Sequence, residues 1–231
     1  MPFNYRRRRK RRPRYKRKKR TFRRRRRRRN SKISIRRMGK TNTDAVMVKL
    51  LWQSQQFIDD STTPFLSLRM NSSFDPTVLA TTTQPVGFDQ WGTMYSKYQV
   101  MGNRISVIAI NNHQSVGFNF CVYPSNVQAI MTQYTTAATT KYATNRYVSP
   151  STGGNPRVVI TKYMTPRKIF GRQTGGDVLF SAETDENPEL ECFWHIRGVD
   201  TLPVHANVNL LWQVRMTYYV KFFNRIELVD A

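Results

Sequence analysis

The sequence predicts an all-β body of roughly eight strands in two packed sheets, led by a disordered arginine-rich arm. Three observations predict it. Apolar residues recur with a period of two in run after run. Prolines fall between those runs. The 231-residue chain also carries a formal net charge of +25 that is confined almost entirely to its first 40 residues.

The charge divides the chain. Residues 1–40 hold 24 Lys and Arg and no acid, which leaves 15 basic and 14 acidic side chains for the rest. Like charges at that density repel, and the arm has nothing apolar to bury, so residues 1–40 are expected to be disordered. Residues 41–231 form the second unit, long enough for one large core.

The strands follow in order. Val46, Val48, Leu50 and Trp52 alternate with Met47, Lys49 and Leu51. Arg104–Asn111 is apolar on both faces, which marks a buried strand. Val116–Tyr123 alternates and is expected to stop at Pro124. Arg157–Met164 and Cys192–Arg197 are two more, and Val208–Phe222 keeps every even position apolar. Pro64, Pro76, Pro85, Pro150, Pro156, Pro166, Pro188 and Pro203 fall outside these runs, and Gly153-Gly154 and Gly175-Gly176 mark loops. Val127, Ile130, Met131 and Tyr134 share a helical spacing behind Ser125 or Asn126 as a cap, so one helix is expected there, running out into a loop over residues 135–140. Long connections, residues 71–98 and 124–156, favour a double-sheet Greek key over a meander barrel, and the jelly roll is the commonest such arrangement.

The chemistry of an enzyme is missing. His113, His195 and His205 are far apart and match no metal spacing. His195, between Trp194 and Ile196 in a strand, reads as a hydrogen-bonded structural histidine. No phosphate-binding glycine loop and no nucleophile elbow are found, so no catalytic residue, metal site or cofactor is assigned. Cys121 and Cys192 read as two buried thiols. Asn71-Ser72-Ser73 matches a glycosylation sequon without a secretory signal to use it. Glu183, Asp185, Glu186, Glu189 and Glu191 read as a solvated acidic loop, and Asp59-Asp60 likewise. The longest apolar stretches, such as Ile105–Ile110, are far shorter than the ~20 residues of a spanning helix, so no membrane insertion is expected.

The arm points to a polyanion. Its cations are Arg6, Arg7, Arg8, Arg9, Lys10, Arg11, Arg12, Arg14, Lys16, Arg17, Lys18, Lys19, Arg20, Arg23, Arg24, Arg25, Arg26, Arg27, Arg28 and Arg29. Guanidinium forks grip phosphate with two hydrogen bonds and stack on bases, which favours nucleic acid over a generic anionic surface. Tyr5, Tyr15 and Phe22, with Phe3, are interleaved and suit stacking on unpaired bases. No element reads base sequence, so binding is expected to be electrostatic and salt-sensitive. The clusters Arg6–Arg12 and Lys16–Arg20 also have the composition of nuclear localisation signals.

In layout the chain resembles the capsid proteins of circovirus-like single-stranded DNA viruses. The resemblance lies in the start MPFNYRRRRKRRPRYKRKKRTFRRRRRRR, in FDQWGTMYSKYQVMGNRISVIAIN over residues 88–111, and in NVNLLWQVRMTYYVKFFNR over residues 207–225. It implies a single jelly roll, sixty copies of which close a T=1 icosahedral shell around single-stranded DNA. It also implies an inward-facing arm that engages host nuclear import receptors, outer loops that meet cell-surface sulfated polysaccharides, and residence in the virion and the host nucleus. The coat protein of a single-stranded RNA virus uses the same design, and a non-viral nucleic-acid-binding protein with a basic tail is the further alternative. At sixty copies, the arms would neutralise about 1,400 phosphates, which sets the expected cargo at ~1.5–2.5 kilobases.

Deleting residues 1–40 is expected to leave the body folded while nucleic-acid retention collapses. Co-purification at physiological salt checks this; a truncated protein that keeps its nucleic acid would place the main binding site in the body.

Overall fold

The computed structural model describes residues 44–58, 64–78, 83–201 and 209–226. Nine strands and three short helices follow one another: β1 (Ala45–Ile58), β2 (Phe65–Arg69), α1 (Phe88–Gly92), β3 (Tyr95–Asn111), β4 (Phe118–Ser125), α2 (Tyr134–Thr139), β5 (Thr144–Val148), β6 (Arg157–Met164), α3 (Pro166–Phe170), β7 (Ser181–Glu183), β8 (Phe193–Asp200) and β9 (Leu210–Arg225). One sheet has the order β1-β9-β3-β6, with β7 against the start of β3; the other has the order β2-β8-β4-β5. Every pair is antiparallel.

The connectivity is that of one long hairpin rolled up. Its nested pairs β1·β9, β2·β8, β3·β6 and β4·β5 fall alternately in the first and the second sheet. That is a jelly roll, as the long connections predict. The core lies between the sheets. From β9 it takes Leu210, Trp212, Val214, Met216, Tyr218, Val220 and Phe222, all essentially without exposure. Ile105, Val107 and Ala109 join them from β3, Phe118, Phe120 and Val122 from β4, and Trp194 and Ile196 from β8.

Two hydrogen bonds tie polar groups of the core across the sheets. The Trp194 indole N–H donates to Asn103 Oδ1 at 3.0 Å, joining β8 of one sheet to β3 of the other. The Tyr218 hydroxyl donates to the Arg69 carbonyl at 2.8 Å, joining β9 to β2. The Arg69 guanidinium is held by Asp75 at 2.5 Å and Glu191 at 2.6 Å. Burial raises the Tyr218 phenol well above its usual value, so it stays a donor.

Several expectations are corrected. Val127–Tyr134 is not a helix; the short α2 begins at Tyr134 and covers residues read as loop. The reason is competition for backbone groups. The Val127 carbonyl bonds His195 Nε2, the Met131 N–H donates to the Tyr123 hydroxyl, and the Thr132 carbonyl accepts from Arg197. Side chains of the second sheet hold the segment as a strap, overriding its helical spacing. Pro124 does not end its strand either: β4 continues to Ser125 against β8. Pairing with β5 has already stopped at Val122, so a residue without an N–H is tolerated there. The short strands β2, β5 and β7 and the helices α1 and α3 lie outside the expected runs. Asn71 is fully buried; its amide donates to the Leu190 carbonyl and its oxygen accepts from the Cys192 N–H, so the sequon is structural. Asp59-Asp60, Pro203, His205 and Val208 lie outside the described residues.

Gly198 in β8 leaves room for the ring of Phe118 from β4. A Cβ there would come within 2.0 and 2.2 Å of Phe118 ring atoms. Gly198→Ala is expected to cost ~1–3 kcal/mol through overpacking, read as a lower urea midpoint. An alanine variant of unchanged midpoint would show that the Phe118 ring can move aside.

Candidate nucleic-acid interface

All twenty arm cations from Arg6 to Arg29, together with Tyr5, Tyr15 and Phe22, lie outside the described residues. The described chain begins at Asp44 and enters β1 directly, so the arm is covalently continuous with an edge strand of the first sheet.

The alternation of β9 builds the outer face. With its even positions committed to the core, Leu211, Gln213, Arg215, Thr217, Tyr219 and Lys221 point the other way. Strand register sets their neighbours. One row across the sheet reads Lys49, Tyr219, Gly102; another Leu51, Thr217, Arg104, Tyr163; a third Gln53, Arg215, Ser106, Thr161; a fourth Phe57, Leu211, Ile110, Arg157. Lys49, Arg104, Arg157 and Arg215 are exposed. β1, β3, β6 and β9 contain no Asp or Glu. The face is thus rich in cations, and the one carboxylate in its strands among the described residues is Glu183 of β7, in register with Lys97 at the start of β3.

Aromatic rings lie among these cations. Tyr163 and Tyr219 meet edge to face, with centroids 5.8 Å apart at 81°. They meet because residue 102 is glycine. A Cβ at that position would stand 2.5 Å from the Tyr163 hydroxyl, so any larger residue would displace the ring. Burial, with a smaller contribution from Tyr219, raises the Tyr163 phenol, so the ring stays neutral at physiological pH. The Lys221 ammonium sits 5.2 Å from the Phe223 ring centroid. Arg215 Nη2 donates to Gln53 Oε1 at 3.4 Å beside a depression of about 160 Å³ floored by Ser106 and Ile108. Such a surface, with cations spaced across strands and two phenol rings between, suits a flexible polyanion that carries planar bases.

The outer face of the second sheet is different, because the strap covers it. Tyr123 and Cys121 pack beneath Ala137, with Met131 and Tyr134 beside them. His195 pins one end. Its Nε2 faces the Val127 carbonyl at 2.9 Å, so Nε2 carries the proton, and Nδ1 accepts from the Ser67 hydroxyl at 2.7 Å. Both nitrogens are engaged, as the structural reading of this residue expects. Cys121 and Cys192 are free and buried; burial pushes the Cys121 thiol up to about 11. Glu183, Asp185, Glu186 and Glu189 are exposed, whereas Glu191 is half-buried on Arg69. Among the described residues no cluster of three or more His, Cys, Asp and Glu lies close enough to hold a metal ion.

Lys49, Arg104 and Arg215 stand out in the sequence as strand cations, but a strand alone does not say which way they point. The register places all three on one face. No local signal in the sequence marks the Tyr163–Tyr219 pair, since the partners are 56 residues apart and meet only through Gly102.

No family model matches the chain, and no curated protein matches it. Among solved structures it is similar to the BFDV capsid protein crystallised as a 60-mer, at 13% identity over 84% of this chain and 100% of that one, with a TM-score of 0.45. It is also similar to turnip yellow mosaic virus, at 11% identity over 80% and 96% with a TM-score of 0.43. Cocksfoot mottle virus follows at 7% identity over 78% and 94% with a TM-score of 0.39.

The strap carries a pH dependence. Burial lowers the His195 pKa below its usual 6.5, outweighing the opposing Val127 bond. Below that value the unfolded chain takes up a proton that the folded chain resists, so stability is full above about pH 6.5 and falls as the pH drops through the folded value. The melting temperature is expected to fall between pH 7.5 and 5.5, and His195→Gln should reduce that fall. An unchanged difference in the variant would assign it to other groups.

Proposed function

We propose that the chain is a structural coat protein: copies assemble into a small icosahedral T=1 shell of sixty, and the basic arm packages single-stranded DNA inside it. The observation that carries this reading is a jelly-roll body with one cation-rich sheet face, whose strands β1, β3, β6 and β9 hold no carboxylate, covalently continuous with an arm of concentrated positive charge. The division of labour follows from the physics. An arm rich in Arg neutralises phosphate without reading sequence. The sheet face adds fixed cations and two tyrosines against the same polymer. A body with 15 basic and 14 acidic side chains lets copies pack with little mutual repulsion. The same arginine clusters would engage nuclear import receptors, which places the protein in the host nucleus before assembly and in the virion after it. Sulfated polysaccharides are the proposed target of the outer loops. No catalytic role is proposed: the most enzyme-like group, His195, spends one ring nitrogen on the strap and the other on Ser67 of β2.

The test is assembly itself. The full-length protein should form closed particles of uniform size in the electron microscope. The nucleic acid recovered from them should be DNase-sensitive and ~1.5–2.5 kilobases long. Arg104→Glu with Arg215→Glu should lower the nucleic acid held per particle and flatten its salt dependence, by about 0.7 in log–log slope for each phosphate no longer neutralised. A persistent monomer would overturn the shell, and an RNase-sensitive cargo would overturn the DNA.

A further inference from the structure

The near balance of charge in the body hides a separation of sign. Between Asp89 and Asp177 the chain runs 87 residues without a carboxylate and with nine Lys and Arg. Five acids then fall between Glu183 and Glu191.

The fold turns the first stretch into a flank. β5 and β6 are edge strands of the two sheets and lie against each other. Lys141 and Tyr142 stand just before β5, and Lys168 in α3 just after β6. Together they line a pocket of about 380 Å³ whose other walls include Tyr123, Met131 and Ile169. Both lysines are exposed, and neither makes an ion pair among the described residues. The mouth of the pocket is held in a costly conformation. Tyr142 has φ of 67°, a left-handed backbone that a non-glycine residue rarely adopts. The Ala143 N–H closes the turn on the Thr140 carbonyl at 2.9 Å, and the Lys162 ammonium donates to the Tyr142 carbonyl. The Lys141 ammonium lies 5.2 Å from the Tyr142 ring centroid.

The acids are presented with equal firmness. Asp185 and Glu186 are exposed and make no ion pair among the described residues. Their loop is anchored: the Tyr98 hydroxyl donates to the Glu186 carbonyl at 2.9 Å, and the Ser72 hydroxyl donates to Asn187 Oδ1 at 2.5 Å. It is a fixed acidic projection, and the flank is a fixed cationic recess. Within one chain they do not pair.

We propose that the pocket between Lys141 and Lys168 receives the Asp185–Glu186 tip of a second copy of the chain. The inference rests on the reading of the protein as a self-assembling coat, because it supplies that assembly with a head-to-tail interface. Interfaces of this kind join unlike patches and close into rings. Complementary rim charges set partner choice and register more than raw affinity, so the pairing steers assembly.

Charge reversal tests it on the full-length protein. Lys141→Glu with Lys168→Glu, and separately Asp185→Lys with Glu186→Lys, should each raise the concentration needed for particles at least about tenfold. All four substitutions together should restore assembly, because the reversed patches again match. Circular dichroism of each variant distinguishes a misfolded chain from a folded one that no longer docks. Pairs that assemble at the parent's concentration, or a quadruple variant as impaired as the pairs, would overturn the interface. So would a pocket variant that assembles normally but no longer binds heparin, which would make the pocket a polysaccharide site. Failure of the parent to form particles at all would instead overturn the coat-protein reading.

Discussion

The period of two in β9 is the constraint on which the rest of the structure depends. The strand lies between β1 and β3, so its two edges are both spent on pairing and only its two faces remain. Seven even positions, from Leu210 to Phe222, are buried between the sheets. The odd positions have no choice but the outer side, and there the sequence supplies Arg215, Thr217, Tyr219 and Lys221. One alternation therefore builds both the core and the cationic face. A slip of one residue would carry Arg215 into the core and Trp212 out of it, which is why the long ladders to β1 and β3 set the register so firmly.

The two sheets solve the problem of their outer faces differently. The second sheet carries Cys121, Tyr123, Phe193 and His195 outward, and these are too apolar to leave in water. The strap covers them, and β8 fastens it with His195 at one end and Arg197 at the other. The first sheet carries amides, hydroxyls and cations outward, with apolar side chains such as Leu51, Phe57 and Val159 exposed among them. The asymmetry leaves the outer face of the first sheet without a strap among the described residues.

How much of this is legible in the sequence depends on where each signal resides. β6 and the body of β9 can be read from alternation because their pattern is local and their burial one-sided. β3 is longer at its start than its apolar stretch, since Tyr95–Gly102 alternates around a bulge between Val100 and Gly102 that breaks the period. β2 and β5 are five residues each, too short for a period to declare itself. The strap departs from its helical spacing because its backbone partners come from Tyr123, His195 and Arg197, none of them in its own window. The strand cations Lys49, Arg104 and Arg215 are visible in the sequence, but their shared direction requires the pairing of three strands.

Net charge misleads for a related reason. A body of 15 cations and 14 acids looks featureless when summed, yet the chain keeps the signs apart over long stretches. Antiparallel pairing then decides what that separation means. It brings Lys141 and Lys168, 27 residues apart, to one pocket across the meeting edges of the two sheets. It leaves the acids of residues 185–189 on a loop tied down at Tyr98 and Ser72. A neutral sum removes long-range repulsion between copies, and a polarised distribution gives each copy a preferred way to face the next. Both properties suit the proposed self-association, and neither requires the arm.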